Sequence, residues 1–90
     1  MENMENNLLH DLDKTSVKDL SLASYLMASG KVKLEGFDRA KNNIVYFNFT
    51  PKNIAEKLIN DYWSGLAEPI QPKKLFSCQR ELKDILFQGT

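Results

Sequence analysis

Ninety residues make one domain at most, with a thin core. Twelve basic and twelve acidic side chains cancel, which argues against a dedicated DNA-coating protein, and no apolar run approaches the roughly 18–20 residues of a membrane span. The start of the chain lacks a signal-like basic and apolar stretch, and the single cysteine, Cys78, cannot form an internal disulfide, so the expected setting is cytoplasmic and reduced.

The charge is unevenly placed. Residues 1–15 carry Glu2, Glu5, Asp11 and Asp13 against Lys14, and the remainder is mildly basic. The first fifteen residues therefore read as a disordered acidic tail, with residues 16–90 as a single α+β domain. Leu8, Leu9 and Leu12 give the tail some capacity to fold on binding.

Ser16-Val17-Lys18-Asp19 has the form of a capping box, and Gly30 is a good helix terminator. A first helix is expected between them, although Leu20, Leu22, Ser24 and Leu26 also fit strand alternation. Val32–Phe37 and Ile44–Phe49 form an expected hairpin. Its second strand places Val45, Phe47 and Phe49 on one face, facing the core, and Ile44, Tyr46 and Asn48 on the other. Asp38–Asn43 supplies the turn, where the Asn pair tolerates positive φ. Thr50 is the expected N-cap of a second helix, with Pro51 at its first position. Ile54, Ala55, Leu58, Ile59 and Tyr62 form its apolar stripe, and Ser64-Gly65 ends it. Pro72 opens a third helix running to about Phe87, with Gly89 beyond. The expected order is α-β-β-α-α, a two-stranded antiparallel hairpin packed against helices. A lone hairpin is unstable in water, so helices must shield it or another chain must extend it.

Little in the chain suits catalysis. His10 lies in the tail, without a fixed partner. One His and one Cys cannot make a zinc site, and Cys78 falls on an apolar stripe where a structural thiol is expected. Glu35 and Asp38 lie close together in sequence at an exposed hairpin, where solvated carboxylates are the expected reading. No glycine-rich phosphate loop or nucleophile elbow is present. The expectation is a protein with no enzymatic activity, no cofactor and no metal.

The third helix carries the most information. At about 100° per residue, Leu75, Cys78, Leu82, Ile85 and Leu86 make one apolar stripe. Phe76, Arg80, Lys83 and Phe87 fall at i, i+4, i+7 and i+11 on a second face, with Lys73 beside them. Aromatics interleaved with cations suit a nucleic-acid strand. They also suit a protein partner. A competing reading buries both rings under the first helix or the hairpin, with Arg80 and Lys83 reaching out to solvent. A second basic group, Lys31, Lys33, Arg39 and Lys41, marks the hairpin, where lysines also serve to block edge pairing. Tyr46, on the outward face, is a candidate for base stacking.

The blocks Leu22-Ala23-Ser24-Tyr25-Leu26, Val45-Tyr46-Phe47-Asn48-Phe49 and Asp61-Tyr62-Trp63-Ser64-Gly65, with Gly30, Pro72 and Glu81-Leu82-Lys83, resemble an uncharacterised family of short proteins from phages, mobile elements and small-genome bacteria. The resemblance covers residues 16–87. Gln71 departs from it, standing where an Asp helix cap is expected. It implies no activity and no catalytic residues, but it does imply a mobile-element setting. The combined expectation is a small accessory protein that binds nucleic acid or a nucleoprotein complex through the third helix and the hairpin. The alternative is an adaptor or inhibitor of a host or phage protein, acting through the aromatic face or the hairpin edge. A homodimer is compatible with either.

Overall fold

The structure is a computed structural model in which residues 13–88 are described. Most of the expected acidic tail, including His10 and the leucines at 8, 9 and 12, lies outside the described residues, as does Gly89.

Thr15–Val17 forms a strand, β1, and this corrects two expectations. The tail does not extend through Thr15, and Ser16 does not open a helix. Thr15 and Val17 are β-branched and suit a pleated strand. Val17 is buried opposite Phe47, and the Ser16 hydroxyl donates to Asn48 Oδ1 at 2.7 Å. Pairing here also satisfies backbone groups that a two-stranded sheet would leave open. The capping role moves to Asp19, whose Oδ1 accepts from the Leu22 N–H at 2.9 Å. Helix α1, Leu20–Ser29, follows.

Leu22, Ala23, Ser24, Tyr25, Leu26 and Ala28 of α1 are all buried. That explains its ambiguous periodicity, because a helix enclosed on several sides needs no single apolar stripe. Gly30 ends α1 at φ 72°, as its sequence position suggests.

Strand β2, Lys33–Arg39, and strand β3, Val45–Thr50, form the expected hairpin. The sheet nevertheless has three antiparallel strands in the order β1-β3-β2. The chain's own Thr15–Val17 supplies the strand that the two-stranded expectation lacked. Val45, Phe47 and Phe49 face the core as the alternation requires. In the turn, Asn43 takes φ 67° and its N–H bonds to the Ala40 carbonyl at 3.0 Å. The register shifts between Leu34 and Gly36, so Glu35 forms a bulge in the edge strand.

Helix α2 spans Lys52–Trp63. Thr50 does not cap it. Thr50 is the last residue of β3, and its hydroxyl donates to Glu35 Oε1 at 3.0 Å. Pro51 is the flanking residue, and its carbonyl accepts from the Ala55 N–H. Ala55 and Leu58 are buried, whereas Ile54, expected in the stripe, is exposed. Helix α3, Pro72–Gln88, packs against α1; its Leu82 is fully buried in the core, and Leu75, Ile85 and Leu86 pack against that core. The resulting order is β-α-β-β-α-α, with one core between the helices and one face of the sheet.

Candidate nucleic-acid interface

The stripe that seats α3 leaves its opposite side to solvent. Phe76 is 59% exposed and Phe87 70% exposed, so the reading that buries both rings is not the one the fold adopts. Lys73, Arg80 and Lys83 are exposed as well. All five expected α3 residues thus share the outward face. With a rise of about 1.5 Å per residue, the two Phe positions stand roughly 16 Å apart along the helix.

A groove of about 310 Å³ opens beside this face. Ser21, Ser24 and Tyr25 line it from α1, and Tyr62 lines it from α2. Leu75, Phe76 and Gln79 of α3 complete it. The Tyr25 and Tyr62 rings lie 5.5 Å apart between centroids, tilted by 41°. The Trp63 indole meets Tyr62 edge-on at 5.0 Å. A second hollow of about 280 Å³ is bounded by Phe76, Gln79, Arg80 and Lys83. Phe76 and Gln79 are common to both, so an aromatic hollow and a cationic one adjoin.

Sequence reasoning missed the groove. Tyr25 and Tyr62 read as ordinary apolar positions of two separate helices, and nothing local says that they meet. Gln79 was the available signal, a polar residue between the α3 stripe and its cationic face.

The hairpin cations do not form one patch, which corrects the expected grouping. Lys31 pairs with Glu68 at 3.0 Å and is tied to the loop before α3. Lys33 and Arg39 lie at opposite ends of the seven-residue β2, roughly 20 Å apart at strand rise. Lys41 is exposed in the turn beyond Arg39. Arg39 reaches α3, its Nη2 donating to the Leu86 carbonyl at 3.4 Å. That bond serves one of the terminal carbonyls that a helix leaves unpaired, and the guanidinium keeps further donors. Tyr46 is half-buried on the sheet face turned away from the core. The Glu35 bulge and the exposed Lys33, Glu35 and Arg39 along β2 oppose pairing with an added strand.

Cys78 is partly buried on α3. Burial raises its thiol pKa above the ordinary value, Glu81 raises it further, and Lys74 opposes them. A thiol held protonated is a poor nucleophile. Glu35 and Asp38 are engaged by sheet neighbours, accepting from Thr50 and from Asn48 Nδ2 respectively. Among the described residues no group of three or more His, Cys, Asp or Glu is placed to hold a metal ion. Among the same residues no helix is long and apolar enough to cross a membrane.

No family model matches this chain, and searches of curated proteins and of solved structures find no match to it.

Proposed function

We propose that this protein is a small, non-catalytic accessory protein that binds nucleic acid, alone or within a nucleoprotein complex, through the outward face of α3. One observation carries the reading. Phe76 and Phe87 are solvent-exposed on the same helix face as Lys73, Arg80 and Lys83. Exposing two phenyl rings forfeits the burial that large apolar side chains normally gain. A ligand that stacks on the rings and carries negative charge recovers that loss. Arg39, at the C-terminal end of α3, extends the cationic track, and Lys41 lies just beyond it in sequence. Lys31 and Lys33 fall outside it.

The protein-binding alternative uses the same face, since aromatics and arginine anchor interfaces. The bulged, charged edge of β2 disfavours its strand-addition form. Salt separates the two readings. Phosphate-driven binding weakens steeply as salt rises. Purified protein is expected to shift single-stranded DNA or RNA at low salt and to release it at moderate salt. Absence of binding to any nucleic acid at low salt refutes the reading.

A further inference from the structure

We propose that the groove between α1, α2 and α3 holds a single unpaired nucleobase, with the adjoining phosphate on Arg80 and Lys83; the ligand class is therefore single-stranded nucleic acid. This rests on the nucleic-acid reading of α3 and goes further, because it names a base-binding site that the exposed face alone does not require.

The argument starts from the shared wall. Phe76 and Gln79 border both the aromatic groove and the cationic hollow. A nucleotide has the same division, a flat stacking part and an anionic part joined by a short sugar. Ligand pockets run from roughly 300 to 1,000 Å³, so the groove, at about 310 Å³, suits a ligand as small as one base. Its rings come from Tyr25, Tyr62 and Phe76, and base–aromatic stacking tolerates any base. Two polar side chains can read an edge. Gln79 offers both a donor and an acceptor, and so does the exposed Ser21 hydroxyl. Ser24 is already committed, donating to the Leu20 carbonyl at 2.7 Å. Arg80 and Lys83 lie four and seven residues after Phe76, on its side of the helix. A base paired within a duplex cannot enter such a groove without leaving its stack, which favours single strands over duplex.

The test compares three ligands by filter binding at low salt: a short thymidine oligonucleotide, an abasic strand with the same phosphates, and a duplex of the same length. The intact single strand is expected to bind about tenfold or more tighter than the abasic strand, and tighter than the duplex. Ser21→Leu narrows the groove from an exposed position and is expected to remove most of that preference, leaving only the part due to stacking on Phe87, outside the groove. Phe76→Ala, which removes a wall instead of adding bulk, is expected to shrink the same difference. Arg80→Gln is expected to weaken intact and abasic strands alike. Equal binding of intact and abasic strands overturns the base site together with the ring stacking on α3, leaving only the phosphate contacts of the nucleic-acid reading. Binding of neither strand overturns both. Folded Ser21→Leu and Phe76→Ala proteins that keep the full preference for the intact strand also overturn the base site.

Discussion

Ser16 and Asn48 are joined across the β1–β3 boundary by a 2.7 Å hydrogen bond, from the Ser16 hydroxyl to the Asn48 side-chain oxygen. The Asn48 amide nitrogen then donates to Asp38 Oδ2 at 3.0 Å, so one side chain links all three strands. Asn48 is only 5% exposed, and a buried polar group that loses its partners is costly. Asn48→Leu leaves Ser16 and Asp38 without this partner and is expected to lower stability by about 1–3 kcal/mol. Ser16→Ala should cost less, because the Asn48–Asp38 bond remains. Urea denaturation monitored by circular dichroism checks the ranking.

The two sides of α3 should respond oppositely to truncation. Leu82 is fully buried, and Leu82→Ala is expected to cost about 2–5 kcal/mol. Phe76→Ala and Phe87→Ala remove rings that are mostly in water and should change stability by less than about 1 kcal/mol, while both weaken nucleic-acid binding. If either Phe variant unfolds the protein as Leu82→Ala does, that ring is a core residue and the interface loses it.

Asp19 caps α1 through its 2.9 Å bond with the Leu22 N–H. Asp19→Ala is expected to lower stability by about 0.5–2 kcal/mol, and Asp19→Asn by less, because asparagine also caps. Thermal melts of the two variants check this. Ser16→Ala should leave the start of α1 intact, which places the cap at Asp19 and not at Ser16.

Burial and Glu81 hold the Cys78 thiol above its ordinary pKa. The thiolate is the reactive form, so alkylation by iodoacetamide near neutral pH is expected to be slower than for a free cysteine. The sign of the stability effect follows from linkage. A raised folded pKa means that the folded state holds the proton more tightly. The contribution is fully present below the unfolded thiol pKa and is lost as pH rises through the folded value. Stability should therefore fall across the alkaline thiol range, and Cys78→Ser should flatten that part of the slope in denaturation measured at several pH values.

Local signals in the sequence were sufficient for the hairpin and α3. Val45, Phe47 and Phe49 alternate cleanly because β3 has one core face, and Leu75, Leu82, Ile85 and Leu86 recur at helical spacing because α3 buries one side. Gly30 and Asn43 announce positive φ by residue type. The errors arise where a tertiary partner decides. Ser16 has a capping residue's chemistry, but its hydroxyl goes to Asn48, a strand residue thirty-two positions away. Thr50 has the same chemistry and goes to the Glu35 bulge. In both cases a distant side chain outbid the local backbone, and neither partner is visible to a window a few residues wide. The α3 face was legible because it lies within one element. The groove draws on three helices, and the split of the hairpin cations depends on Glu68 and Leu86. Those relationships exist only once the chain is folded.

Trp63 is the only tryptophan in the chain, and it stands edge-on to Tyr62, a wall of the groove. The protein therefore carries its own optical reporter one ring away from the proposed base site. A base stacking near Tyr62 alters the electronic surroundings of the neighbouring indole. Intrinsic emission from unlabelled protein can then follow occupancy of the groove directly, separately from ion contacts made farther along α3.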